Sequence, residues 1–268
     1  MRLLIIIFAF ALIACKQTKS YTSETWRESN DLTHLSKELL SRGQTDSAAP
    51  LIKKALELDP SNYEAYNNRA YLKVMMSAKP EDVLADYQKA LELKPDYDIG
   101  LYSIANYYLS IQDYPKVIEF ATKLLNLPNK REVDSASIGH IYAIRGESYS
   151  YQLQFDKAIA DLKIALNINP SSAGAWKNLA DCYFYRDNNT EIATHLYTRA
   201  LLLDSNYYQS YLGRAQCYEK STPRQLEAAY SDYLHALIIE PTAGDIYNTN
   251  SSLFKKARQE VKEREKGG

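Results

Sequence analysis

The chain has 268 residues, with 32 lysines and arginines against 33 aspartates and glutamates, so its formal net charge is −1. Basic and acidic residues are balanced and the sequence has no basic stripe, so we expect no nucleic-acid partner. Nine glycines leave no glycine-rich phosphate loop, and the four histidines never fall within metal-ligand spacing of one another. No Ser-His-Asp or Cys-His set can be assembled. We therefore expect no metal, no cofactor, no catalytic residue and no enzymatic activity.

Residues 1–14 predict a segment that is removed during secretion. Arg2 precedes an uninterrupted apolar run that ends at Ala14, and this run is shorter than the ~20 residues that span a bilayer. A basic start, a short apolar core and small residues before a cut describe a signal peptide. Its end, Leu12-Ile13-Ala14-Cys15, resembles the bacterial lipoprotein box. That resemblance implies a Cys15 that is lipidated, with palmitate among the usual acyl chains, and becomes the first mature residue.

A polar segment, residues 15–28, is predicted to tether the mature chain to its lipid. It lacks a core pattern and has the composition of a flexible linker. Residue 16 is Lys rather than Asp, which in the lipoprotein class favours the outer membrane of the bacterial cell envelope. Trp26 either packs on the first repeat or lies at the lipid interface. The alternative is an ordinary signal peptide in which Cys15 is incidental.

Between residues 29 and 241 one pattern of two helices recurs. Apolar residues spaced three and four apart give it a helical period. The clearest copy contains Tyr142, Arg145, Gly146, Tyr149, Ala158, Leu162, Ala165 and Pro170. A residue that precedes proline is pushed out of the helical region, so a proline closes most copies. The successive closing residues are Pro60, Pro95, Pro128, Pro170, Ser205 and Pro241.

This spacing resembles the tetratricopeptide repeat (TPR) family, whose unit is about 34 residues. The resemblance implies an all-α fold, a right-handed α-solenoid of about six helix pairs. The repeats are expected at about 29–60, 63–95, 98–128, 138–170, 173–205 and 208–241. Residues 129–137 are extra and form either a loop or an extension of the next helix. Residues 242–268 combine one apolar stripe with a charged remainder, which predicts a C-terminal capping helix and tail.

In TPR proteins the first helix of each pair lines a concave groove, and the resemblance implies which residues face it. Aromatic side chains alternate there with amides and a few charges, a composition that suits peptide recognition. The alternative is that the tyrosines are incidental surface residues. The expected groove residues are Asn67, Tyr71, Tyr102, Asn106, Glu147, Tyr151, Lys177, Asp181 and Tyr185. Chaperone-binding TPRs clamp a terminal carboxylate with Lys and Asn, but Asp181 would repel that group.

Together these features predict a membrane-anchored scaffold of the bacterial cell envelope that binds a partner protein or peptide in its concave groove. One alternative is a surface lipoprotein that binds glycans, because aromatic grooves also stack on sugar rings. Another is an adaptor for an envelope protease. Terminal helices of TPR arrays often dimerise, so a homo-oligomer is a further alternative. Cys182 and Cys217 occupy one slot in neighbouring copies, where stacked helices lie about 8–10 Å apart, so we expect two buried thiols rather than a disulfide.

Overall fold

A computed structural model describes residues 22–130, 132–243 and 251–267 of the chain. The predicted signal peptide and Cys15 lie outside the described residues. Within the described ranges the structure contains thirteen helices of at least thirteen residues and no strand, which confirms the all-α prediction. The chain divides into two compact units, the first ending at Ser103 and the second beginning at Ile104.

Most helices are 13 to 17 residues long and follow one another through short turns. In chain order they are α1 (Ser23–Ser41), α2 (Thr45–Leu58), α3 (Tyr63–Met75), α4 (Pro80–Leu93), α5 (Asp98–Ser110), α6 (Tyr114–Asn126), α7 (Ser135–Tyr151), α8 (Phe155–Ile168), α9 (Ala173–Asp187), α10 (Thr190–Leu203), α11 (Tyr208–Lys220), α12 (Leu226–Ile239) and α13 (Ser252–Gly267). Helix α5 crosses the boundary between the two units.

Each unit is built from consecutive helix pairs, as in a TPR solenoid. In the first unit α1 packs on α2 and α3 packs on α4. In the second unit the pairs are α7 with α8, α9 with α10, and α11 with α12, and α13 covers α12. The first helices α7, α9 and α11 also contact one another in sequence. They therefore form a layer of their own in the second unit.

Small residues allow the two helices of a pair to approach closely. Alanines that recur in the repeat pattern, such as Ala158 and Ala193, are fully buried. At Gly146 an added Cβ would lie 2.9 Å from Leu162 Cγ and 3.1 Å from the Ala158 carbonyl oxygen. Because there is no room for a methyl group at this crossing, glycine is required by packing.

Helix α1 begins at Ser23, inside the segment that the sequence assigns to the tether. The Thr22 hydroxyl accepts a hydrogen bond from the Thr25 backbone N–H at 3.3 Å and caps the helix. The buried face of α1 contains Ser29 and Thr33, which an apolar periodicity does not detect. Trp26 lies on this helix and remains largely exposed.

Hydrogen bonds between small polar side chains join α1 to α3. The Asn62 amide donates to Ser29 Oγ at 2.9 Å and to Thr33 Oγ1 at 3.1 Å. The Asn68 amide donates to the Thr33 carbonyl at 3.0 Å and to Ser36 Oγ at 3.1 Å. All five residues are buried. Satisfied polar groups therefore join the first helix of the first repeat to the start and middle of the first helix of the second, at positions where an apolar pattern gives no signal.

Two helix starts refine the sequence-based boundaries. Helix α7 begins at Ser135, where Asp134 accepts a hydrogen bond from the Ser137 N–H at 2.7 Å, so residues 135–137 of the insertion extend the next helix. In the sequence Thr222-Pro223-Arg224-Gln225 a threonine precedes a proline, an order that suits a helix start at Pro223, but α12 begins only at Leu226. There the Gln225 N–H donates to the Tyr218 carbonyl at 3.0 Å and lengthens the turn.

Ion pairs between a half-buried arginine and a buried aspartate link the two helices of every second repeat. Their guanidinium groups donate two hydrogen bonds to one carboxylate, a strong and directional arrangement. The intervening repeats have apolar residues at the same two slots. The ion pairs are Arg69–Asp86, Arg145–Asp161 and Arg214–Asp232. The apolar pairs are Leu35 with Leu51, Ile104 with Phe120, and Leu179 with Leu196.

Arg145 connects three helices and two repeats. It contacts Asp161 on α8 at 2.7 Å, and its Nη1 donates to Thr122 Oγ1 on α6 at 3.0 Å. Its guanidinium also lies 5.5 Å from the ring centre of Tyr142 and 5.9 Å from that of Tyr149. The charge is therefore enclosed by a carboxylate and two aromatic faces.

Two further predictions concern the second unit. Cys182 and Cys217 are both buried and free, which confirms the prediction of two thiols. Helix α13 packs its Phe254 ring against Tyr233 of α12, with ring centres 5.3 Å apart, and buries Ala257. The last described helix therefore covers the apolar face that α12 would otherwise expose.

The Arg145→Leu substitution is expected to lower the free energy of unfolding by about 3 kcal/mol, because it leaves the buried Asp161 carboxylate without its partner. Replacing both Arg145 and Asp161 by Leu recreates the apolar pair of the next repeat, Leu179 with Leu196, and should cost much less. Urea denaturation of the three proteins measures the difference. An equal loss in the single and double variants would show that the ion pair is not the source of the effect.

Candidate functional site

A cavity of about 510 Å³ lies beside α7 and α9 in the second unit. We call it the α7–α9 cavity. The lining combines aromatic, apolar and charged side chains. It consists of Glu147, Ser150, Tyr151, Leu153, Phe155, Lys177, Asn178, Asp181 and Tyr185. Five of these are predicted groove residues, namely Glu147, Tyr151, Lys177, Asp181 and Tyr185, and the structure brings them together.

Helix geometry explains why these five residues share one surface. Glu147 and Tyr151 are four residues apart on α7, and Asp181 and Tyr185 are four apart on α9. Residues with this spacing are neighbours on one helix face. Because α7 and α9 carry the same repeat slots and contact each other, the cavity has a carboxylate and a tyrosine from each helix.

The negative charge of Asp181 is better compensated by its neighbours than that of Glu147, the other carboxylate of the cavity. Lys177 Nζ lies 2.7 Å from its Oδ2, and the Tyr197 hydroxyl donates to its Oδ1 at 2.5 Å. Tyr197 is almost completely buried. Burial, followed by the charge of Asp181, raises the pKa of Tyr197 well above its usual range, so this hydroxyl keeps its proton.

Glu147 is held in an environment that favours its neutral form. Burial is the main cause of its raised pKa, and the Asp181 charge adds to it. The Lys177 ammonium and a hydrogen bond from Asn178 act in the opposite direction without cancelling the effect. The cavity therefore contains a carboxylate that the surrounding protein stabilises poorly.

The tyrosines of the cavity have exposed ring surface. Tyr151 stacks on Tyr114 of α6, with ring centres 4.3 Å apart and planes 9° from parallel. Burial, and then the neighbouring Tyr151, raises the pKa of Tyr114 to about 12. Tyr151 nevertheless remains 58% exposed and Tyr185 62% exposed. The stack fixes the ring of Tyr151 and leaves contact area for a ligand.

Leu153 forms part of the rim of the cavity in an unusual backbone conformation. Its φ is +59°, in the left-handed region that bulky residues rarely adopt. The equivalent turns of the first, second, third and fifth repeats place Gly43, Ser77, Gln112 and Asn188 in this region, and none of these residues is apolar. Leu153 is 74% exposed. Neither local conformation nor core packing accounts for a leucine at this position.

The other predicted groove residues do not line this cavity. In the first unit, Asn67 is buried, and its side-chain oxygen has no hydrogen-bond partner among the described residues. Tyr71 on the same helix is 45% exposed, and Tyr102 is on α5. In the second unit, Asn106 Oδ1 lies 2.7 Å from His140 Nε2.

Sequence reasoning missed four of the lining residues as site residues: Ser150, Leu153, Phe155 and Asn178. Leu153 and Phe155 lie in or next to an inner turn, which the repeat pattern treats as surface loop. An apolar residue in a turn where the other repeats have glycine or a polar residue is the signal that could have identified the rim.

Metal-binding clusters and membrane-spanning helices are absent from the described part of the chain. Among the described residues no group of three or more His, Cys, Asp and Glu side chains could hold a metal ion. In the same part of the chain, no helix is long and apolar enough to cross a bilayer.

Sequence comparison identifies repeats in both units. Two family models described as tetratricopeptide repeat match residues 51–81 and 145–191. The chain is 27% identical over 152 residues to the STIP1 homolog of Dictyostelium discoideum, a match that covers 56% of this chain and 27% of that protein. The chain thus spans about a quarter to a third of the length of the curated relatives that it matches.

Solved structures share the fold at low sequence identity. PilF of Pseudomonas aeruginosa is 16% identical, with a TM-score of 0.68 over 89% of this chain and 100% of its own. PilW, described as a type IV pilus biogenesis factor, is 19% identical, with a TM-score of 0.63 over 85% and 97%. YrrB, described as a TPR protein with an unusual peptide-binding site, is 20% identical, with a TM-score of 0.58 over 78% and 97%. The chain thus contains tetratricopeptide repeats, and its helix pairs have the fold of TPR proteins.

Proposed function

We propose that this chain is a protein-interaction scaffold that holds a partner protein or peptide at the α7–α9 cavity. TPR domains bind protein or peptide partners and are generally scaffolds rather than enzymes. The observation that carries the proposal is the meeting of Glu147, Tyr151, Lys177, Asp181 and Tyr185 at one cavity of about 510 Å³. This volume lies within the range of cavities that bind small ligands, and it suits one or two side chains of a partner segment.

The composition of the cavity supports a binding role. Exposed rings of Tyr151 and Tyr185 provide rigid contact area with a polar end, as is common in protein-recognition surfaces. Glu147 is partly buried and raises the free energy of the folded state when it is ionised, and Leu153 adopts a conformation that bulky residues avoid. Features that lower stability are often retained because function needs them.

We further propose that the scaffold works at the bacterial cell envelope, anchored through a lipidated Cys15. The support is the resemblance of Leu12-Ile13-Ala14-Cys15 to the lipoprotein box, together with Lys16, which favours the outer membrane in that class. PilW, which has a similar fold, is described as a type IV pilus biogenesis factor. Residues 15–22 would then connect the lipid to α1.

Crosslinking capture from native membranes tests the cavity. The Tyr151→Ala, Tyr185→Ala double variant should capture at least tenfold less of the partner, because aromatic anchors dominate such interfaces. Tyr71→Ala is the matched control, since it removes an exposed tyrosine from a first helix outside the cavity. Equal capture by the double variant and wild type would move the site elsewhere, and capture of no protein by folded wild type would favour the glycan-binding alternative.

The anchor is tested separately by Cys15→Ser. This variant should leave the membrane fraction and lose labelling with a palmitate analogue, because the acyl chains supply the membrane affinity. Cys182→Ser, which changes a buried thiol, controls for non-specific labelling. Retention of Cys15→Ser in the membrane fraction with unchanged labelling would contradict the lipoprotein assignment.

Glu147→Gln is expected to raise the unfolding temperature at pH 7 while it weakens partner binding. Because burial raises the pKa of Glu147 in the folded protein, its ionisation lowers stability progressively as pH rises above the ordinary value of 4.5. Below that value both the folded and the unfolded chain bind the proton, so the variant and wild type should converge. Differential scanning calorimetry from about pH 4 to about pH 8 measures this. A variant that is less stable than wild type at pH 7 would contradict the assignment.

A further inference from the structure

The lining of the α7–α9 cavity has more negative than positive side chains. Glu147 and Asp181 are the two carboxylates among the lining residues, and Lys177 is the one cation among them. Lys177 forms an ion pair with Asp181 at 2.7 Å and also acts on Glu147. One lysine balances only one of the two carboxylates, so the lining carries one excess negative charge. A cationic group that enters the cavity would meet a poorly stabilised carboxylate, whereas a carboxylate of a partner would be repelled.

The aromatic side chains narrow the identity of that cation. Rings attract cations through their negative faces, and a planar guanidinium can stack on a ring while it donates hydrogen bonds to a carboxylate. Tyr151 and Tyr185 both have exposed surface in the cavity. A lysine ammonium is more strongly hydrated and cannot stack in this way. The lining thus fits arginine better than lysine.

Within its own repeats, the protein already holds arginine side chains with a carboxylate and two tyrosine rings. Arg145 binds the carboxylate of Asp161 and lies over the rings of Tyr142 and Tyr149. An equivalent arrangement surrounds Arg214 in the sixth repeat. In both places a guanidinium completes a set of one carboxylate and two tyrosines. The α7–α9 cavity is lined by the same residue types, Glu147 with Tyr151 and Tyr185, and no arginine is among its lining residues.

We propose that the α7–α9 cavity recognises an arginine side chain in a basic segment of the partner protein. The guanidinium lies between the tyrosines and donates hydrogen bonds to Glu147. The inference rests on the proposed function of the cavity and adds the chemistry of the partner. It also gives a role to Leu153, which extends the apolar rim over which the methylene groups of the arginine pass.

The test places a photo-crosslinking residue, p-benzoylphenylalanine, at Leu153 of the full mature chain in native membranes. Capture is compared among the otherwise wild-type chain, Glu147→Gln and Glu227→Gln. Glu227 is exposed on α12 outside the cavity and serves as the matched carboxylate control. Crosslinked partner segments are sequenced by mass spectrometry. Competitors are a blocked alanine pentapeptide with a central arginine and the same peptide with citrulline, its uncharged analogue.

We expect crosslinked segments with an arginine close to the crosslink, and capture that falls about tenfold or more in Glu147→Gln and stays unchanged in Glu227→Gln. The arginine peptide should compete and the citrulline peptide should not. Segments without a basic residue, or undiminished capture by Glu147→Gln, would overturn this inference and leave the proposed function standing. Segments that contain only lysine would overturn the choice of arginine. Absence of any crosslink would overturn both proposals.

Discussion

The close approach of two helices within each repeat is the constraint on which the rest of the structure depends. Buried alanines and Gly146 permit it, because any larger side chain at those crossings would meet the opposite helix. Once the helices of a pair are packed, the slots of one repeat lie beside the same slots of the next. The contact between α7 and α9 and the cavity beside them both result from this packing.

The alternating Arg–Asp pairs add specificity to that packing. An apolar pair at the same slots, such as Leu179 with Leu196, provides contact area without a strict geometry. Arg145 instead requires a carboxylate on α8 and a hydroxyl, Thr122, on α6. A buried charge with directional partners disfavours other alignments of the helices, because any shift would leave it unpaired. Polar residues in the core thus specify the register that apolar residues stabilise.

The cavity is lined by residue types that also occur in the core, but here we propose that they bind a partner. Tyrosines, carboxylates and a lysine occupy first-helix slots that pair packing does not require. Glu147 has a raised pKa and Leu153 a left-handed backbone, and both lower the stability of the isolated chain. The fold alone gives no reason for either residue, so we attribute both to the binding role proposed for the cavity.

The sequence by itself determined the helical period and the repeat boundaries marked by prolines, because these depend on local spacing. The resemblance to TPR proteins implied which slots face the groove, and Glu147, Tyr151, Lys177, Asp181 and Tyr185 are among them. Only the tertiary structure decided which predicted residues meet at a cavity, since Asn67 is buried and Asn106 contacts His140 instead. The early start of α1, the late start of α12 and the pairing of Arg145 likewise depend on contacts between distant residues, which no local pattern contains.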